Sequence, residues 1–284
     1  MHSKKRTKTP VPMKNVYGNK ILVTGATSGI GRACAIAFAK AGCTVTGLAI
    51  DAEEKETSFA GGGRIRYVQA DVTDDLSVAN AMNSVGDVDV AILCAGFGLA
   101  GFAEEMPLDL ARKQMEVNYF GVLRICSYIL PKMRKRRHGL LVVISSIGGR
   151  IALPMQGHYS SSKYALEAFV ESVRMEMRPF GVKATLIEPG DLNTGFTGNR
   201  LANMPEDSPY SYIADSCLAK IEHDERNGKS PEAVAEIVVK LVGKTDPPVR
   251  TAVGISFKML MFLRRFLPDR AVETIVRNIY LSGK

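Results

Sequence analysis

Short apolar blocks alternate with longer amphipathic stretches along most of this chain. "KILVTG", from Lys20 to Gly25, is a compact run rich in β-branched residues, and "IGRACAIAFAKAG" follows with helical periodicity and closes on Gly42. "CTVTGLAI" is strand-like, "DAEEKE" an acidic turn, "RIRYVQADV" strand-like again, "TDDLSVANAMNSV" helical and "DVDVAILCAG" a further strand. A Gly-rich loop leads to one long helix through "LDLARKQMEVNYFGVLRICSYILPKMRKRR", the strand "GLLVVISS", a helix opening at "GHYSSSKYALEAF", and the strand "VKATLIEPG". Apolar runs of about five to eight residues that alternate with helices are what parallel βαβ units covered on both faces require. The pattern predicts a single doubly wound α/β domain with helices on both faces of a parallel sheet. Pro131 is expected to kink the long helix near its end. The cations after it, followed by Gly139, suit a helix C-terminus.

Composition adds bounds. With 46% hydrophobic residues in 284, the chain can bury a sizeable core. Five scattered cysteines (Cys34, Cys43, Cys94, Cys126 and Cys217) show neither CxxC nor Cys/His spacing, which implies packed thiols and no metal site. Much of the formal charge of +8 is local: Lys4, Lys5, Arg6, Lys8 and Lys14 stand near the start with no acid among them. With Pro10 and Pro12, residues 1–17 read as a solvated, disordered tail, and nucleic acid is not expected as its partner. No apolar run reaches the ~18 residues of a spanning helix. A cytoplasmic protein is expected.

Two local patterns carry chemistry. "TGATSGIG", Thr24 to Gly31, runs directly from the first strand into a helix. Gly25, Gly29 and Gly31 permit a tight turn and close backbone approach, and the helix N-terminus would hold a pyrophosphate. Tyr159 and Lys163 stand four apart, on one face if helical. An ammonium beside a phenol favours the phenolate and makes proton exchange accessible near neutral pH.

From about residue 18 to 255 the chain resembles the short-chain dehydrogenase/reductase family, with its Rossmann-type fold. The TGxxxGxG loop is Thr24 to Gly31, an Asp-Val pair is Asp71-Val72, the asparagine of the long helix is Asn118, and the serine thirteen residues before Tyr159 is Ser146. "EPGDLNT", Glu188 to Thr194, is similar to the PGxxxT segment. The resemblance implies an NAD- or NADP-dependent oxidoreductase. Tyr159 would be its general acid or base, Lys163 would lower the tyrosine pKa, Ser146 would donate to the substrate oxygen, and Asn118 would hold a water. It also implies cofactor contacts from Gly25, Thr27, Ser28, Gly29, Ile30 and Gly31 in the loop, with Ile50 and Asp51 after the second strand. Asp71 and Val72 would meet the adenine side, with Ala95, Gly96, Tyr159, Lys163, Pro189, Gly190 and Thr194 completing the set. Where members carry NNAG this chain has "LCAG", so a local loss of hydrogen bonding is expected at Cys94.

No basic residue occupies Ser28 or Ile50 and Asp51 is close, so the reading leans to NAD. Residues 195–230 are expected to form a substrate lid. The extension 256–284 is most similar to the branch that includes 17β-hydroxysteroid and retinol dehydrogenases, which implies a lipophilic alcohol or ketone and a homo-oligomer, dimer or tetramer. On a helix, Met259, Leu260, Phe262, Leu263, Phe266 and Leu267 cover one broad apolar face opposite Lys258 and Arg265. That face would either pack on its own domain, walling the pocket, or make a peripheral membrane contact through 256–267. A cofactor-sensing regulator without turnover is the competing class, opposed by the complete Asn/Ser/Tyr/Lys set.

Overall fold

Alternation decides which side of the sheet each strand residue takes. In β1 (Lys20–Thr24), Ile21 and Val23 enter one core and Leu22 the other, the period-two geometry of an extended chain. The remaining strands are β2 (Thr44–Ala49), β3 (Glu56–Ser58), β4 (Arg64–Gln69), β5 (Val90–Leu93), β6 (Leu99–Ala100), β7 (Gly139–Ile144), β8 (Val182–Pro189), β9 (Leu201–Ala202) and β10 (Arg250–Val253). The helices are α1 (Gly29–Lys40), α2 (Asp75–Ser84), α3 (Leu108–Met115), α4 (Gly121–Arg136), α5 (Gly157–Met177), α6 (Ser211–Arg226), α7 (Pro231–Val242), α8 (Ile255–Leu263) and α9 (Asp269–Tyr280). The structure, a computed structural model, describes residues 15–195, 198 and 200–281.

Eight strands form one sheet in the order β10-β8-β7-β5-β1-β2-β4-β3, parallel throughout except for the β3–β4 pair. One face packs Phe38 and Ala39 of α1 with Val234, Val238 and Leu241 of α7. The other packs Met82 of α2, Ile125 and Ile129 of α4, and Leu166 and Val170 of α5. The chain leaves β1 toward β2 on one side and returns to β5 on the other. The strand order therefore reverses between β1 and β5, and a crevice opens beyond their carboxyl ends.

Several elements depart from the sequence reading. The acidic turn after β2 ends in β3, an exposed antiparallel edge strand. Residues 15–17, placed in the tail above, are anchored: the Val16 amide donates to the Val242 carbonyl, and Tyr17 is buried with its hydroxyl on the carbonyls of Lys244 and Thr245. The rest of the tail lies outside the described residues. The long helix is interrupted by a π turn at Glu116–Phe120 between α3 and α4. α4 ends in its run of cations as expected, with Arg137, at φ 54°, in the left-handed position two residues before Gly139. The segment 195–230 holds α6 and β9, and β9 pairs with β6 beyond the crevice.

Candidate active site

The loop from β1 into α1 is shaped by contacts that only glycine allows. A Cβ on Gly31 would lie 2.1 Å from the Gly25 carbonyl oxygen, whereas one on Gly29, at φ 47°, would meet nothing nearer than Thr194 at 3.9 Å. The first makes the turn tight and the second leaves room beside it. Ser28 caps α1 in extended conformation without a side-chain bond to the helix, and no carboxylate stands in the first turn. Such an N-terminus fits a dinucleotide pyrophosphate. Thr24 steadies the facing loop: its hydroxyl accepts from the amides of Cys94 and Ala95 at 3.0 and 3.1 Å. The loss of backbone support expected at Cys94 is thus made good from β1. The Cys94 thiol packs on Cys34, and that hydrogen bond with burial holds its pKa well above the usual thiol value.

A cavity of about 470 Å³ fills the crevice, within the range of small-molecule sites. Of the residues singled out in the sequence, Gly25, Ser28, Gly29, Ile30, Gly31, Ala95, Gly96, Ser146, Tyr159, Lys163, Pro189, Gly190 and Thr194 line it. Thr27, Ile50, Asp51, Asp71 and Val72 do not. Ile50 and Asp51 follow β2, and Asp71 and Val72 come soon after β4, so they stand on the same rim of the sheet. Thr27 ties the loop to that rim by donating to Asp51 at 2.7 Å. Asp71 is engaged locally, accepting from the amide and hydroxyl of Thr73.

Tyr159 and Lys163 lie in the first turns of α5, with Lys163 buried and Tyr159 half-buried. The Lys163 ammonium donates to the Ile144 carbonyl at 2.9 Å and sits 5.8 Å from the Tyr159 ring centroid. Burial lowers its pKa to about 8. The lysine was expected to depress the tyrosine pKa, and the structure differs. Burial, with the nearby Glu225, raises Tyr159 to about 12, and the opposing pull comes first from its hydrogen bond with Ser146 and then from Arg200. Desolvation of a phenolate outweighs both. The Ser146 hydroxyl accepts from the Gly148 amide at 3.0 Å.

Asn118 falls within the π turn and is fully buried. Its side chain accepts from the Phe97 amide and donates to the Phe97 carbonyl and Ser162 hydroxyl. It does not line the cavity. It braces the loop that does, because a Cβ on Gly96 would meet Asn118 Oδ1 at 3.0 Å and Lys163 Nζ at 3.8 Å.

The remaining wall comes largely from residues that motif reading did not reach. Phe257 and Leu260 of α8, Leu267, and Val272, Ile275 and Ile279 of α9 form an apolar side. The Phe257 ring covers the bare face of Gly190, where a Cβ would fall 2.2 Å from it. Leu260 and Leu267 turn inward, while Met259, Phe262, Leu263 and Phe266 face outward and are exposed. The single apolar face expected of this segment is therefore two. Opposite stand Asp191, Lys220, Asp224 and Glu225. Lys220 pairs with Asp224, and Arg200 with Glu225. Burial, then Asp224 and Glu225, raises Asp191 to about 6.

A parallel sheet with a glycine turn at its switch point, and a serine, tyrosine and lysine in one cavity beside that turn, defines a dinucleotide-dependent oxidoreductase. The family model of the short chain dehydrogenases matches residues 19–205. The chain is 38% identical over 269 residues to a 3-ketodihydrosphingosine reductase of Bacteroides thetaiotaomicron, covering 92% of this chain and 97% of that one. It is 33% identical to retinol dehydrogenase 8 of Bos taurus, covering 88% and 86%. A short-chain dehydrogenase structure from Streptomyces avermitilis superposes with a TM-score of 0.73 at 29% identity, over 92% and 97% of the two chains. The chain belongs to the short-chain dehydrogenase/reductase family and is an NAD(P)-dependent oxidoreductase.

Proposed function

We propose that this enzyme interconverts a lipophilic alcohol and its carbonyl compound, with a long-chain ketone as the substrate class to test first. The observation that carries the reading is one cavity with Ser146 and Tyr159 on one side and the apolar wall of α8 and α9 on another. The names of two relatives, a 3-ketodihydrosphingosine reductase and a retinol dehydrogenase, agree with a lipophilic substrate.

The loop from Gly25 to Gly31 with Thr194 would hold the dinucleotide, whose nicotinamide would supply or accept the hydride. The other steps belong to side chains of the protein. Tyr159, with its pKa at about 12, carries its proton at neutral pH. It is therefore set as general acid for carbonyl reduction, and as base it needs added positive charge nearby. Ser146 bonds the Tyr159 hydroxyl and is placed to donate to the substrate oxygen as negative charge develops there. Lys163 supplies charge from below, and Asn118 acts through the Gly96 loop as a positioning residue. Asp51 on the rim, with no base at Ile50, favours NAD over NADP.

Tyr159→Phe removes one oxygen and leaves every loop contact in place. Turnover of a long-chain ketone, followed by absorbance of the reduced nicotinamide, should fall by about two to four orders of magnitude. Nucleotide-induced stabilisation should persist. Near-normal turnover in the variant would overturn the assignment.

A further inference from the structure

Helix α8 is apolar on two opposite sides, and only one of them has a use in the site. Phe257 and Leu260 of α8, with Leu267 in the turn after it, face the cavity. Ile255, Met259, Phe262 and Leu263, with Phe266 in the turn just beyond the helix, lie on the other side, exposed between 48% and 85%. Phe262 and Phe266 stack edge to face on that outer side, with ring centroids 5.4 Å apart. Lys258 and Arg265 flank the patch, and α8 itself carries no carboxylate. Apolar surface so concentrated on a helix only about two and a half turns long is a contact surface awaiting a partner.

We propose that the outer face of α8 docks on an anionic lipid bilayer, delivering a lipophilic substrate to the cavity across the thickness of one helix. The chemistry selects this occupant. Aromatic and aliphatic side chains enter the boundary between headgroups and acyl chains, and flanking cations meet the headgroup charge. The inner side of the same helix is the apolar wall of the cavity, so an amphiphile moves from bilayer to site without exposing its chain to water. Neither α8 nor α9 contains a fully buried residue, and α9 is held through Tyr280 on the cluster of Met155, Cys217 and Ile221. The inference rests on the lipophilic-substrate reading for its purpose and not for its test.

The test is flotation of the full chain with vesicles of phosphatidylcholine alone, or of phosphatidylcholine and phosphatidylserine in equal parts. The protein should float with the mixed vesicles, and raised salt should weaken the binding. Phe262→Glu combined with Phe266→Glu should cut the bound fraction by about tenfold or more. Met259→Gln, a milder change on the same exposed face, should weaken it less. Unaltered melting would certify the fold, since all three positions are exposed. The basic N-terminal segment is present in every variant and cannot account for a difference. Equal flotation of the double variant and the parent overturns the proposal. So does sedimentation as a dimer that the double variant dissociates, which would make a second copy the occupant. Turnover of a water-soluble ketone, measured in parallel, separates this failure from failure of the oxidoreductase reading.

Discussion

At the scale of residues the decisive group is Lys163, because burial places its titration close to the working range. With the pKa lowered to about 8, the ammonium is present below that pH and lost above it. Carbonyl reduction needs the Tyr159 proton, which remains in place there, and the Lys163 charge, which does not. The kcat/KM for reduction should therefore be level through neutrality and fall by up to about tenfold per pH unit beyond about pH 8. Lys163→Arg keeps the charge and should move that limb to higher pH, even at a lower rate. A flat profile through the region in both proteins would remove Lys163 from the reaction. The identity of this pair was legible from spacing and motif, but its electrostatics were not. Proximity in a helix suggested that the ammonium depresses the phenol pKa, and only the fold shows the ammonium turned to the Ile144 carbonyl and the phenol half-buried beside Ser146. Arg200–Glu225 escaped notice for a related reason: nothing in the order of residues marks two groups 25 positions apart as partners.

At the scale of elements, what could be read was what periodicity encodes. Alternating Ile21, Leu22 and Val23 specify a strand buried on both faces, and the βαβ rhythm then specifies the switch point. β3 is polar and exposed along its length, so no burial pattern announced it. β6 and β9 have two residues each, too few for a period. The π turn at Glu116–Phe120 lies inside a helical stretch whose polar pattern does not mark it. α8 shows the opposite limit: with apolar residues nearly all round, a wheel cannot tell which side meets the protein. The structure assigns Leu260 and Leu267 to the cavity, and a prediction follows. Leu260→Asp should raise the KM for a bulky lipophilic ketone by about tenfold or more, since covering a carboxylate with an alkyl chain costs its hydration. The KM for acetone-sized ketones should change far less. An equal effect on both would show that this wall does not bind the chain of the substrate.

For the whole molecule, the two cores of the sheet and the α8–α9 hairpin are held very differently. The strands of the main sheet other than β3, with α1, α2, α4, α5 and α7, share buried side chains in two layers, whereas α8 and α9 have none. Removing everything after Gly254 should therefore leave the fold largely intact. A cost on the order of 1 kcal/mol would lower the melting midpoint by only about 2–4 °C for a chain of this size. Nucleotide binding depends on the β1–α1 loop and the rim, so its linkage to stability should survive the truncation. A nucleotide at about 100 times its Kd adds about 2.7 kcal/mol by mass action, and intact and shortened chains should gain alike. NAD should raise the midpoint more than NADP at equal concentration, given Asp51 beside the loop. The informative exception is Phe257, which covers Gly190 at the cavity floor. If truncation abolishes the nucleotide-dependent rise while the apo midpoint holds, α8 is part of the nucleotide site, and the division into a nucleotide-binding body and a substrate-binding hairpin is wrong. If NADP gives the larger rise in the intact chain, Asp51 does not set the cofactor preference.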